Sequence, residues 1–127
     1  MNGKLLLFGF DALPAILAVS AAAGPFGAEV VPVAKTDYNK PLSVLAGLDT
    51  APGPIAPYAG NALGGRMIVL CGLEDRLDAL LPELGKAGAG PECLKAVLTP
   101  HNRGWSPVML YAELQKEHQA MRKGGKK

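Results

Sequence analysis

The chain concentrates its polar chemistry in one short stretch, Thr99-Pro100-His101-Asn102-Arg103-Gly104, which lies between an apolar run and a helical pattern. A carboxamide, an imidazole and a guanidinium there supply hydrogen-bond donors. The N–H groups at the start of the following helix favour negative charge. Together they suit a carboxylate or a phosphate. Lys95 sits just upstream within the apolar run Leu94-Lys95-Ala96-Val97-Leu98. His118 sits downstream on the apolar side of the helix, one turn past Leu114. The candidate binding set is therefore Lys95, Thr99, His101, Asn102, Arg103, Trp105 and His118. Each member also has a structural reading. Thr99 and Asn102 are residue types that bond the backbone of their own turn. Lys95 either points inward, where a buried ammonium needs Glu113 or Glu117 as partner, or points outward and discourages strand addition. His118 fits a partly buried, hydrogen-bonded histidine, and Trp105 fits a packing pin ahead of the helix.

No stronger chemistry competes with this junction. There is no Gly-x-Ser-x-Gly, no phosphate-cradling Gly-x-x-x-x-Gly-Lys and no Gly-x-Gly-x-x-Gly. The glycine-rich Gly60–Gly65 lacks the Lys-Ser/Thr ending of a nucleotide loop. His101, His118, Cys71 and Cys93 have no zinc spacing. Asp75/Asp78 and Glu113/Glu117 read as solvated helical neighbours. The chain thus offers no catalytic set, no metal and no cofactor to assign.

The elements that must hold the junction follow from periodicity. Lys4–Phe10 is a short apolar run, the pattern of a strand covered on both faces. Asp11 can cap a helix over about Ala12–Ala23, with Leu13, Ile16, Leu17 and Ser20 as its buried stripe and Gly24-Pro25 as its stop. Glu29–Ala34 is a second strand, placed at an edge or a bulge by Pro32. Asn39 or Asp37 caps a short helix over Leu42–Leu48, with Pro41 in its first turn. Residues 49–65 have no period. Met67–Cys71 is the clearest strand, and Leu73–Lys86 the clearest helix, with Pro82 expected to kink or shorten it. Leu94–Leu98 is the last strand. Ser106 caps a final helix from Pro107 to about Arg122 that turns Tyr111, Leu114, His118 and Met121 to one side. Trp105 and Leu110 stand at the two positions of a hydrophobic staple.

With 127 residues, 49% of them hydrophobic and 19% charged, the chain is sized for one core. The expected division is a single domain over 1–123 and a flexible basic tail over 124–127. The net charge of +2 is too small to argue for nucleic acid, and no basic, aromatic-bearing face is visible. Residues 1–24 imitate a secretory signal, but Asp11 and Pro14 interrupt the apolar run. Two cysteines outside any Cys-x-x-Cys fit a reduced, cytoplasmic protein, and no run is long enough for a membrane span.

The runs Leu5–Phe10, Asp37-Tyr38, Leu45-Ala46-Gly47, Met67–Gly72 and Leu94–Thr99, with Asn102, Trp105 and Glu113-Leu114-x-x-Glu117-His118, resemble a bacterial family known only as domain of unknown function 3783. The resemblance extends over nearly the whole chain, and its distinctive part is Lys95–His118. It implies a small bacterial protein with no assigned activity. It carries no catalytic residue across. It groups Lys95, Thr99, Asn102, Trp105, Glu113 and His118 in one unit.

No repeat is visible beyond two strand–helix–strand halves. The expected fold is α+β, a ferredoxin-like two-layer sandwich (βαβ repeated) with one extra helix at each of two positions. One of these helices is C-terminal, and residues 36–66 form the long connection between antiparallel second and third strands. A small open parallel α/β sheet is the alternative. The expected function is a non-enzymatic ligand-binding or protein-interaction module. Its expected partners are a second copy of the chain and a small anionic ligand. The alternative is an enzyme or anion-binding protein using the junction 95–107.

Overall fold

A computed structural model describes residues 3–10, 12–50, 53, 55–61, 63–90 and 93–125, with residues 118–125 described for their backbone alone. Four strands form one open sheet: β1 (Lys4–Phe8), β2 (Glu29–Pro32), β3 (Met67–Cys71) and β4 (Leu94–Val97). Among the described residues, four α-helices accompany them: α1 (Leu13–Ala23), α2 (Leu42–Leu45), α3 (Leu77–Lys86) and α4 (Pro107–Gly125). The strand order is β2-β1-β3-β4. β1 and β2 are parallel, β3 and β4 are parallel, and β1 meets β3 antiparallel at the centre.

This order corrects two expectations. β1 lies between β2 and β3, so the second and third strands are not neighbours, and each βαβ half is unsplit. The sheet is also covered on both faces. Leu5, Leu7, Ile68 and Leu70 pack with Val19 and Ala23 of α1 and with Leu80 and Leu84 of α3. Leu6, Phe8, Met67 and Val69 pack on the other face with Leu42, Ala46, Leu110 and Tyr111. The physical reason lies in the strands. KLLLF and MIVLC are apolar at nearly every position, so they take the centre, where both faces are buried. β2 contains Pro32, which cannot donate to a ladder, and it takes an edge. The fold is a three-layer mixed α/β arrangement in place of a two-layer sandwich.

α1 presents a different face from the one its sequence suggests. Val19 and Ala23 are buried, while Leu13 and Leu17 are 63% and 58% exposed and Ser20 is exposed. The helix, LPAILAVSAAA, has no charged residue, so its periodicity cannot mark an inner side. The sheet and α3 select the stripe that fits. Asp11, the expected cap, lies outside the described residues. α3 continues through Pro82 to Lys86, preceded by a 3₁₀ turn at Glu74–Arg76. α4 runs to Gly125, beyond Arg122, so Gly124 and Gly125 of the expected tail 124–127 are helical, and the rest of that tail lies outside the described residues.

The connection 49–65 holds no helix or strand among its described residues, yet it is anchored. The Tyr58 N–H donates to the Thr36 carbonyl at 2.9 Å, and Asn39 Nδ2 donates to the Ala56 carbonyl at 2.7 Å. The Tyr58 ring lies against Tyr38, with centroids 6.0 Å apart.

Candidate functional site

The junction between β4 and α4 is built from its own hydrogen bonds. Asn102 is 8% exposed. Its Oδ1 accepts from the Thr99 N–H at 2.9 Å, and its Nδ2 donates to the Val97 carbonyl at 3.1 Å. Thr99 Oγ1 accepts from the Asn102 N–H at 3.2 Å. The Arg103 and Trp105 N–H groups donate to the Thr99 and Asn102 carbonyls. The turn is thus organised by the residue types that offer backbone partners of their own.

The start of α4 is similarly occupied. Pro107 has no N–H to offer. The Met109 N–H donates to Ser106 Oγ at 3.2 Å, and the Leu110 N–H donates to the Ser106 carbonyl at 3.0 Å. Ser106 is the cap, as its position predicts. Trp105 and Leu110 belong to one apolar cluster, the staple arrangement. His101 is exposed and packs edge-on against Trp105, with ring centroids 5.2 Å apart.

The turn also holds α2. The Leu42 N–H donates to the Trp105 carbonyl and the Ser43 N–H to the Arg103 carbonyl, both at 2.9 Å. The expected caps, Asp37 and Asn39, do not serve: α2 has no side-chain cap bond. Asp37 pairs with Lys40, and Asn39 reaches Ala56. Backbone carbonyls brought in from a distant turn do the capping, and no side-chain signal marks them. Arg103 reinforces the contact with an ion pair to Asp49 at 2.7 Å. The Ser43 hydroxyl, and then Arg103, hold the Asp49 carboxyl below its ordinary range.

Lys95 stands apart from this group. It pairs in register with Ile68, whose side chain faces α1 and α3. Leu94, Ala96 and Leu98 pack on the α4 side instead. Lys95 therefore points away from Glu113 and Glu117. Its Nζ donates to the Gly90 and Cys93 carbonyls at 2.9 and 3.1 Å, and Glu113 pairs with Lys116. The structure brings Thr99, His101, Asn102, Arg103 and Trp105 together, and it places Lys95 on the opposite face of the edge strand. The His118 side chain lies outside the described residues.

A concave site does lie next to this junction. A cavity of about 360 Å³ opens where β3 and β4 end, lined by Lys4, Gly47, Cys71, Gly72, Glu74 and Leu98, among others. The carboxyl ends of parallel strands are where open α/β sheets place ligands. Lys4 Nζ donates to the Ala46 carbonyl at 2.9 Å, and Lys4 faces Cys71 across the central pair. Burial pushes the Cys71 thiol up to about 11, with Lys4 lowering it and Glu74 raising it. At neutral pH the cavity therefore holds a neutral thiol beside the Lys4 side chain, with Glu74 also in its lining. Sequence reading missed this site because Lys4 and Cys71 are far apart in the chain; the glycine directly after each apolar strand was the available signal. Among the described residues, no group of His, Cys, Asp and Glu is placed to hold a metal ion, and no helix is long and apolar enough to cross a membrane.

Residues 66–121 match the family model described as a domain of unknown function, DUF3783. The match takes in β3, α3, β4 and most of α4, and so includes the distinctive Lys95–His118 segment; the N-terminal runs that share the resemblance lie outside it. No curated protein and no solved structure matches the chain.

Proposed function

We propose that this chain, whose residues 66–121 match a domain family of unknown function, is a non-enzymatic interaction module that pairs with a second copy of itself through α1. The observation that carries this reading is the exposed, uncharged side of that helix. Leu13 and Leu17 lie largely in solvent, and Leu81 of the neighbouring α3 adds an exposed apolar group. α3 itself carries Asp78, Glu83 and Lys86, as a solvated helix does. α1 carries nothing of the kind, and contiguous apolar surface of this sort marks interaction sites.

The face is also self-complementary. Its large side chains, Leu13 and Leu17, lie in the first half of the helix. Its small exposed residues, Ser20, Ala21 and Gly24, lie at the other end. Two antiparallel copies set each leucine pair over the partner's small residues, which is the form a two-fold contact takes. Sedimentation equilibrium of the wild type and of Leu13→Gln/Leu17→Gln tests this. The wild type is expected to dimerise and the variant to remain a folded monomer. A wild type that stays monomeric up to high micromolar concentration rules the reading out.

A second reading rests on the cavity beside Lys4: a small ligand with an apolar body and an acceptor group for the ammonium. The junction 95–107 supports an anion site less well, since Asn102, Thr99 and the first N–H groups of α4 already bond within the turn. Titration with acetate, benzoate and phosphate, followed on the Lys4 and Asn102 NMR signals, separates the two sites.

A further inference from the structure

The two halves of the molecule run through the same order of strands and α-helices, and their paired strands start 25 residues apart in the first half (Lys4 to Glu29) and 27 in the second (Met67 to Leu94). β1 and β3 are equal in length, and each is followed directly by a glycine at positive φ, Gly9 at 80° and Gly72 at 73°. Helix α1 follows in the first half and α3, after the 3₁₀ turn at Glu74–Arg76, in the second; each leads to a strand of equal length, β2 or β4. The interval from Pro32 to the start of α2 at Leu42 equals that from Val97 to the start of α4 at Pro107. By position, Lys4 corresponds to Met67, Leu6 to Val69 and Phe8 to Cys71.

The sheet register agrees with this correspondence. Lys4 lies opposite Glu29 as Met67 lies opposite Leu94, and Leu7 lies opposite Pro32 as Leu70 lies opposite Val97. At the centre, Lys4 faces Cys71, Phe8 faces Met67, and Leu6 faces Val69, its own counterpart. Residue i meeting j while the equivalent of j meets the equivalent of i is the signature of a two-fold contact. The helices obey the same relation. α1 and α3 pack together on one face of the sheet, and α2 and α4 cover the other. Cavities obey it too. A second hollow of about 520 Å³, lined by Gly9, Phe10, Val33 and Tyr38 among others, opens at the carboxyl ends of β1 and β2. That is the position equivalent to the Cys71–Gly72–Leu98 cavity, at the opposite end of the sheet.

We infer that the chain is a tandem fusion of two βαβα units and that its β1–β3 seam is a subunit-type interface, one that fits a second copy of the C-terminal unit as it fits the N-terminal one. The DUF3783 match spans one such unit and stops. Alone, that unit leaves Met67, Ile68, Val69 and Leu70, all fully buried in the intact chain, along an unpaired strand edge. Antiparallel pairing about Val69 with another copy covers that edge and sets α3 against α3. This partner surface is independent of the exposed face of α1.

Two experiments on two-unit chains test the inference. In the first, a protease-cleavage sequence is inserted after Gly53 and cut in the folded protein. The two fragments are expected to co-elute with the hydrodynamic size and circular dichroism of the uncut chain. Fragments that separate or unfold on cleavage overturn the inference. In the second, residues 66–121 replace the N-terminal unit, joined to the native 66–121 through residues 46–65. This chain is expected to fold as a monomer at low micromolar concentration, with its two units giving one shared set of backbone amide signals. Two distinct sets, or an unfolded chain, overturn it.

Discussion

Thr99 and Asn102 each bond the other's main chain: the Asn102 side-chain oxygen takes the Thr99 N–H, and the Thr99 hydroxyl takes the Asn102 N–H. The pair closes the turn that sends β4 into α4. Through the Arg103 and Trp105 carbonyls it also sets the position of α2. Replacing Asn102 with Ala removes the partners of the Thr99 N–H and the Val97 carbonyl. Loss of two such partly buried bonds is expected to cost about 1–3 kcal/mol. Asn102→Asp keeps the acceptor but turns an oxygen toward the Val97 carbonyl, so it is expected to rescue only part of the loss. Urea unfolding of the three proteins checks the order wild type, Asp, Ala.

Gly9 and Gly72 occupy equivalent places but differ in surroundings. A Cβ on Gly9 would lie 2.5 Å from the Gly65 carbonyl oxygen, whereas one on Gly72 would meet only the Gly3 Cα at 3.6 Å. Both substitutions carry the left-handed penalty of about 1 kcal/mol. Only Gly9→Ala also forces backbone apart. Gly72→Ala is expected to lower stability by about 1 kcal/mol and Gly9→Ala by about 3 kcal/mol or more. Thermal and urea unfolding would show the difference, and equal losses would contradict the close packing at Gly9.

Cys71 sets an alkaline limit. Its thiol ionises near 11 in the folded chain, against 9.0 for an unburied one. Above pH 9 the unfolded chain therefore loses a proton that the native chain keeps, so stability falls as pH rises from about 9 to 11. A shift of this size corresponds to roughly 2–3 kcal/mol at the top of the window. Cys71→Ser has no such group in this range and is expected to show a flatter profile between pH 8 and 11. Thiol modification of the native wild type should also stay slow at pH 8, where the thiolate fraction is small.

Lys95 and Glu113 test which partner the lysine uses. Lys95→Met removes two charge-assisted bonds to the Gly90 and Cys93 carbonyls. About 1–2 kcal/mol of destabilisation is expected, with faster amide exchange in the turn before β4. Glu113→Gln touches only an exposed pair with Lys116 and is expected to change stability by less than about 0.5 kcal/mol. A large effect of Glu113→Gln would place the lysine's partner on α4 after all.

Local chemistry made much of this protein legible in its residues. The apolar runs at Lys4–Phe8 and Met67–Cys71 could only be buried strands. Ser106-Pro107 marked the opening of a helix, and Thr99 with Asn102 offered a turn that bonds itself beside the anion-binding reading. Those outcomes depend on neighbours in the chain, and neighbours are what a sequence displays. Which strands share an edge depends on distant segments competing for the same surface. The two strands apolar on both sides took the middle of the sheet and pushed β2 and β4 to its margins. The uncharged α1 offered no polar side to mark its outer face, so only packing against the sheet and α3 decided that Leu13 and Leu17 face water. The capping of α2 by the Trp105 and Arg103 carbonyls, and the meeting of Lys4 with Cys71, arise from backbone groups and residues far apart in sequence. Tertiary structure alone decided them, because hydrogen bonds and burial act through space, and residue spacing along the chain does not record which distant groups will meet.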